Sequence, residues 1–341
     1  MALSFGGAIG TGWKVKASGG GFTFATTDIA AGATASLTSS EALPETIDSR
    51  KLKITWQMSL DGGTNWFTIG ETENQLYVIG AQQLAGGPAL EAYETVLHLG
   101  SEGAKGKRPR NPGEEPVVAS QKDQEVVDAI WEEFKERNMK RADGESLTYW
   151  KTTERLEDGG HPYRTATALL KFKDGDCYAW SDLLISTLST QGIAGAGAIE
   201  ITSKYKNSNF LLELAHLDRR GKPAALLIKN WNFGAGGGPD RDGFTHPDGT
   251  FTSGNRIAAQ GNNESPSAFQ NHRIVSYGGK FYDPSYGGEA YSTQKTWEIA
   301  SLAGFRRWDT DVVDGVVVDV REAKKLDEDA ASEVETIFHP V

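Results

Sequence analysis

The sequence predicts an α+β protein, in which a small all-β sandwich domain precedes a domain built from a helix packed on an antiparallel sheet. Three observations support this prediction. Over the first ~100 residues, short runs in which apolar and polar residues alternate recur between turn signals. Apolar residues at helical spacing follow Cys177, and after that predicted helix the apolar residues again recur with a period of two.

The composition indicates a globular chain with enough material for two domains. Its 341 residues are 38% hydrophobic and 24% charged, and no run approaches the ~18 apolar residues of a membrane span. The formal charge of -11 disfavours nucleic acid and anionic membranes as partners, because both are polyanions. Residues 1–7 lack the basic and long apolar regions of a secretory signal, so we expect no cleaved leader and, by default, a cytoplasmic location.

The first predicted domain spans residues 1–100. Its clearest unit is a hairpin with period-two strands on either side of an Asp61-Gly62-Gly63 turn. Strands are expected at residues 52–59, 66–69, 75–79 and 92–99. Such a set favours an immunoglobulin-like sandwich.

Residues 101–118 are predicted to be a linker, because a segment rich in Gly, Pro, Lys, Arg and Glu cannot bury a face. The predicted second domain runs from 119 to 341. Ser120 and Asp123 resemble a helix capping box, and apolar residues recur at helical spacing over 126–134. We therefore expect an amphipathic helix to about Asn138, with its aromatic stripe in the core.

The single cysteine, Cys177, occupies the predicted start of the next helix. It follows Gly175-Asp176 and precedes helix-spaced leucines, and Gln191-Gly192 end the helix. Unpaired N–H groups and the helix dipole favour thiolate at such a position, whereas the neighbouring Asp176 opposes it unless its carboxylate points away. The structural alternative for Cys177 is a buried small hydrophobe.

After this helix, apolar residues recur with the period of two that is typical of strands. We therefore expect a sheet against which the helix packs. Strands are predicted at residues 197–202, 210–214, 224–231, from His272 onward, before Asp283, and as an edge strand over 312–320. The polar segment 234–271 is interpreted as a lid or a disordered insertion. The acidic tail beyond Arg321 is predicted to be a surface helix.

His272 and Asp283 complete the order of a thiol triad with Cys177. His272 opens one strand and Asp283 ends the next, after a Gly278-Gly279 turn. Two paired strands would bring the imidazole and the carboxylate side by side. Taken singly, His272 could also be a hydrogen-bonded sheet histidine, and Asp283 a turn residue before proline.

These motifs resemble the core of the transglutaminase-like superfamily of papain-related thiol enzymes. The resemblance covers about residues 120–290, and it depends on Gly175-x-Cys177-Tyr178, the strand-initial His272 and Tyr282-Asp283-Pro284. Two departures are Ser181, where the family commonly has alanine, and the polar segment 234–271.

The resemblance implies catalytic roles for three residues. Cys177 would attack a carbonyl carbon as thiolate, His272 would hold the proton and return it to the leaving amine, and Asp283 would orient the imidazolium. The Cys177 N–H would be one oxyanion-hole donor. Trp150 is a candidate for the second donor, because transglutaminases use an upstream indole, and a core aromatic is its alternative role.

The function implied is thiol-dependent acyl transfer at amide bonds of a peptide or protein substrate, with protease-like hydrolysis favoured. The alternatives are protein-glutamine transamidation, which crosslinks proteins, and a catalytically silent binding or scaffold protein. Neither a cofactor nor a metal is expected. Residues 240–251 match a calcium loop poorly, because Phe251 stands where the bidentate acid belongs, and His161 and His246 have no companions at ligand spacing.

Overall fold

The computed structural model describes residues 2–4, 11–30, 34–80, 94–110, 113–151, 163–205, 224–228, 244–245, 250–251, 257–265, 268–269, 271–313, 316–325 and 334–341. Within these ranges the protein is mixed α+β with several antiparallel sheets, which confirms the predicted α+β class. No helix in them combines the length and the apolar content needed to cross a membrane.

The N-terminal part of the fold is built from strands. They are β1 (Ala2–Ser4), β2 (Lys14–Gly19), β3 (Phe22–Asp28), β4 (Thr34–Ser36), β5 (Asp48–Ser59) and β6 (Phe67–Val78). β3, β2, β5 and β6 form an antiparallel sheet in that order, and β1 pairs with β4. β5 and β6 confirm the predicted hairpin, although residues 75–79 belong largely to β6 rather than to a further strand. Val15, Ile54 and Trp56 lie in the small core of this sheet, and the immunoglobulin-like sandwich stays a prediction.

The described helices are α1 (Glu94–Gly103), α2 (Pro116–Lys135), α3 (Ala166–Phe172), α4 (Cys177–Thr190) and α5 (Gln294–Ser301). The prediction of a strand over 92–99 is wrong. Val96 and Leu99, three positions apart, are buried on one side of α1, which contacts α2 and α4. The predicted domain boundaries at 100 and 119 stay predictions.

Helix α2 begins earlier and ends earlier than the sequence suggested. Its first residue is Pro116 rather than Ser120, since proline suits a first turn in which its missing N–H would have no acceptor anyway. The aromatic stripe is buried as predicted, with Trp131 and Phe134 in the larger hydrophobic cluster.

The remaining strands belong to the second part of the fold. They are β7 (Thr148–Tyr149), β8 (Asp174–Gly175), β9 (Gly197–Tyr205), β10 (Ala224–Ile228), β11 (Phe244–Thr245), β12 (Thr250–Phe251), β13 (Ile257–Ala259), β14 (Asn262–Ser265), β15 (Ala268–Phe269), β16 (Asn271–Tyr277), β17 (Lys280–Tyr282), β18 (Leu302–Val313), β19 (Val316–Lys325) and β20 (Val334–Pro340).

The sheet that carries the candidate site has the order β17-β16-β9-β20, and all of its pairings are antiparallel. The predicted hairpin of β16 and β17 is confirmed, and its turn glycines Gly278 and Gly279 have positive φ of 57° and 80°. Helix α4 lies against β16 and β9. The prediction of a helix in the acidic tail is wrong for its described residues, because residues 322–325 belong to β19 and β20 pairs with β9 along its whole length. Residues 326–333 lie outside the described residues.

A further four-stranded sheet has the order β15-β10-β18-β19. The prediction of one edge strand over 312–320 is wrong, because residues 312–313 end β18 and residues 316–320 belong to β19, the edge strand that pairs back on β18. β10 confirms the strand predicted at 224–231 over its described residues. The strand predicted at 210–214 lies outside the described residues. Within the polar segment 234–271, strands β13 and β14 form a hairpin, and the interpretation of the segment as a lid or a disordered insertion stays a prediction.

Candidate active site

Helix α4 begins at Cys177, as predicted. Asp176 caps the helix, and its side chain accepts hydrogen bonds from the backbone N–H groups of Tyr178 and Ala179 at 3.0 and 3.3 Å. Helix α4 ends at Thr190, and Gln191 is its C-cap. The positive φ of 77° at Gly192 allows the Ile193 N–H to donate back to the Leu188 carbonyl. The thiol therefore sits in the first turn of a helix that is fixed at both ends.

Gly175 is required by close packing behind the cysteine. A Cβ at this position would lie 2.8 Å from the Cβ of Ala179 and 3.2 Å from the carbonyl oxygen of Tyr163. Neither atom can move aside cheaply, since one belongs to helix α4 and the other is backbone. This explains in steric terms why a glycine stands two residues before the thiol.

We predict that Gly175→Ala destabilises the protein by about 1–3 kcal/mol, the usual cost of overpacking a core. The measurement is urea unfolding. Gly197→Ala is the matched control, because the nearest atom to its Cβ would be the Ser276 Oγ at 4.0 Å. Equal stability of the two variants would contradict the packing argument.

The structure brings His272 and Asp283 together across the β16–β17 hairpin. The His272 Nε2 lies 2.9 Å from the Asp283 Oδ2, and both side chains are buried. The other carboxylate oxygen accepts the backbone N–H groups of Ser285 and Tyr286, each at 3.2 Å. Asp283 is thus locked by the turn that follows it, with one oxygen directed at the imidazole.

Aromatic rings enclose the imidazole of His272. Ring centroids of Phe269, Tyr286 and Trp297 lie 4.7, 5.4 and 6.2 Å from it. Within the described part of the chain, the buried Nδ1 has no hydrogen-bond partner. Because Nε2 is held by Asp283, Nδ1 is the nitrogen left to exchange a proton with another group.

Two contacts join the start of helix α4 to β16 beside His272. The Ser181 Oγ donates to the Arg273 carbonyl at 2.9 Å, and the Asn271 side-chain amide donates to the Tyr178 hydroxyl at 2.8 Å. The backbone N–H of Arg273 also interacts with the Cys177 thiol. The thiol and the imidazole therefore lie on directly adjoining elements, and the hydroxyl of Ser181 has a structural use that alanine could not supply.

The electrostatic environment of Cys177 opposes thiolate formation. Burial raises the pKa of the thiol well above its usual value, and the charges of Asp176 and Asp283 raise it further, while the Arg273 N–H and Arg164 act in the opposite direction. The expectation that the helix start yields a thiolate is thus wrong for this closed arrangement. Asp176 does not point away, because its carboxylate is the helix cap.

Burial also raises the pKa of the Asp176 carboxyl, to about 6, against the hydrogen bonds and the Arg164 ion pair that lower it. The folded protein therefore holds this proton more tightly than the unfolded chain. Stability from this group is highest below about pH 4, falls as the pH rises to about 6, and is constant above that.

We predict that Asp176→Asn, which keeps a capping oxygen, removes the loss of stability that ionisation of the Asp176 carboxyl causes. The free energy of unfolding at pH 7 should therefore rise by up to about 3 kcal/mol. Urea unfolding of both proteins between pH 4 and 7 measures the difference. An identical pH dependence in wild type and variant would contradict it.

Trp150 lies close to the cysteine loop. The backbone N–H of Trp150 donates to the Gly175 carbonyl at 3.0 Å, and its φ is 49°. The indole packs on the larger hydrophobic cluster. The Asn262 side chain donates to the carbonyls of Tyr149 and Trp150 at 2.9 and 3.4 Å. The role of the indole as an oxyanion-hole donor stays a prediction.

Sequence reasoning missed several residues around the thiol. The arginines Arg164 and Arg273 flank Tyr178, and Asn262 supports residues 149–150 from within the polar segment. These residues come together only in the folded protein, and no spacing in the sequence marks them.

Most of the residues that the sequence analysis weighed as possible metal ligands are not described by the structure. His161, His246 and residues 240–243 and 248–249 lie outside the described residues. Among the residues that are described, no three His, Cys, Asp or Glu side chains gather in a way that could hold a metal ion. No protein-family model and no curated protein matches the sequence.

Proposed function

We propose that the protein is a thiol-dependent acyl-transfer enzyme with a papain- or transglutaminase-like core, which hydrolyses amide bonds of a peptide or protein. One observation carries the proposal. A buried His272–Asp283 pair, joined at 2.9 Å, leaves Nδ1 without a partner in the described chain, on the strand whose next peptide contacts the Cys177 thiol.

In the proposed reaction, the Cys177 Sγ attacks the carbonyl carbon and its proton passes to the His272 Nδ1. Collapse of the adduct expels the amine, which takes that proton, and leaves a thioester on Cys177. Water then attacks the thioester carbon while Nδ1 accepts its proton, the C–S bond breaks to release the carboxylic acid, and Nδ1 returns the proton to the Cys177 Sγ. The Asp283 Oδ2 accepts the Nε2–H throughout, which fixes the tautomer and stabilises the imidazolium.

Burial raises the pKa of the Cys177 thiol. The proposed mechanism therefore has proton transfer to the imidazole accompany attack on the substrate rather than precede it. The mechanism is then closer to that of a serine nucleophile than to that of a preformed thiolate–imidazolium pair.

The test is to trap the acyl-enzyme. The protein is incubated with a library of peptide amides, quenched in acid, and searched by mass spectrometry for an adduct on Cys177. We expect an adduct in the wild type that is absent from Cys177→Ala and that hydroxylamine releases as a hydroxamate. Failure of every peptide to form an adduct, together with equal iodoacetamide labelling of Cys177 in wild type and His272→Ala, would leave the scaffold alternative.

The same experiment separates the two acyl acceptors. Added primary amine competes with water for the thioester, so its incorporation into product measures transamidation. We expect free carboxylate as the main product. Predominant amine incorporation at millimolar amine would instead favour crosslinking.

A further inference from the structure

Two guanidinium groups lie over the ring of Tyr178, the residue that follows the cysteine. The guanidinium carbons of Arg164 and Arg273 lie 5.0 and 5.1 Å from the ring centroid, distances at which cation–π attraction operates. We refer to Arg164, Tyr178 and Arg273 as the arginine stack. Its three residues come from the segment before α3, from α4 and from β16.

Each arginine of the stack is also paired with a carboxylate on the same helix. Arg164 lies 3.4 Å from Asp176, and Arg273 lies 3.4 Å from Asp182. The two pairs differ in their relation to the thiol. Asp176 directly precedes Cys177 and raises the pKa of the thiol, whereas Asp182 lies five positions after Cys177, within α4.

The elements around Cys177 carry several titratable groups. Asp176 precedes it on α4, Tyr178 follows it, His272 lies on β16 and Asp283 after β17. Tyr149 on β7 and Tyr286 also interact with the thiol. Arg164 is the cationic side chain whose charge favours the thiolate, and its side chain is 54% exposed.

We propose that Arg164 is a positioning residue of the thiol site, whose guanidinium holds the Asp176 carboxylate in its capping position and offsets its negative charge beside Cys177. This inference rests on the proposed function for its purpose, since a nucleophile must be able to ionise during attack. Cation–π attraction to the Tyr178 ring favours the position of the guanidinium beside the cap. The helix thus keeps the strong aspartate cap without the full electrostatic penalty to the thiol.

The test measures iodoacetamide alkylation of Cys177 against pH in four proteins: wild type, Arg164→Gln, Asp176→Asn and the double variant. At a fixed pH below the thiol pKa, we expect Arg164→Gln to slow alkylation by about threefold to tenfold and Asp176→Asn to accelerate it. In the Asp176→Asn background, the effect of Arg164→Gln should be clearly smaller. That loss of effect is the signature of a residue that acts through Asp176.

Two results with Arg164→Gln would overturn the inference. One is an Arg164→Gln profile that superimposes on the wild type. The other is an equal slowing in the Asp176→Asn background, which would mean that Arg164 acts on the thiolate directly and not through the cap. Arg164→Lys provides a second variant, because it keeps the charge. A lysine variant as slow as the glutamine variant would also overturn the role assigned to charge.

Arg108→Gln is the matched control. Arg108 pairs with Glu45 at the same separation of 3.4 Å, and neither residue belongs to the thiol site. Its alkylation profile should equal that of the wild type. Because alkylation requires no substrate, a wild type that forms no acyl-enzyme would refute the proposed function while the four profiles still decide the role of Arg164.

Discussion

Asp283→Asn is expected to lower the rate of acyl-enzyme formation by about 10⁴-fold, the loss typical of a triad whose histidine is held in the wrong tautomer. The structure specifies why. The Asp283 Oδ1 accepts two backbone N–H groups, so the oxygen of an asparagine would take that place. Its NH₂ group would then face the His272 Nε2, which could only accept. The ring proton would move to Nδ1, and the nitrogen that must receive the thiol proton would be blocked.

The measurement is single-turnover acylation with the peptide found by trapping. The asparagine variant keeps the turn, so its fold and its free energy of unfolding should stay close to those of the wild type. Asp28→Asn serves as control, because Asp28 pairs with Lys14 in the N-terminal sheet, and this variant should leave the rate unchanged. A rate for Asp283→Asn within tenfold of the wild type would mean that Asp283 is merely a turn former.

The pairing of His272 with Asp283 could be predicted because it is local. A period-two pattern, two glycines and a second short strand specify a hairpin, and a hairpin determines which side chains become neighbours. The start of helix α4 was predictable for the same reason, since an aspartate cap and helix-spaced leucines lie within a few residues of Cys177.

Elements that depend on distant partners could not be predicted in this way. β20 lies in an acidic tail with a weak pattern, and it becomes a strand because β9 offers a free edge more than a hundred residues earlier. Residues 92–99 form an apolar run too short to distinguish strand from helix, and packing against α2 and α4 decides the outcome.

The direction of the pKa shift of the Cys177 thiol also could not be predicted from the sequence. Helix position alone favours thiolate, but the sign of the net effect depends on burial, on where the Asp176 carboxylate points and on whether a cation reaches it. Burial of Cys177 is the largest of these effects here, and Arg164 reaches the carboxylate from a different segment of the chain. Each is a property of the assembled fold.

His272→Gln is expected to lower the rate of acyl-enzyme formation by roughly 10⁴- to 10⁶-fold, the range found when the base of a triad is removed. Glutamine removes the base while changing the surroundings of His272 little. Its amide can donate to the Asp283 Oδ2 from near the site of Nε2, so the buried carboxylate keeps a partner, and it fills much of the space between the aromatic rings. It has no atom that could accept the thiol proton as a base.

The double variant His272→Gln/Asp283→Asn tests whether the two residues act as one unit. In the proposed mechanism Asp283 aids catalysis only through the imidazole, and its charge raises the pKa of the thiol, so the double variant should be no slower than His272→Gln alone. His98→Gln, on helix α1, is the matched control and should keep wild-type activity. If the losses from the two single variants multiplied instead, Asp283 would act on the substrate or the thiol independently of His272, and the triad would be the wrong description of this site.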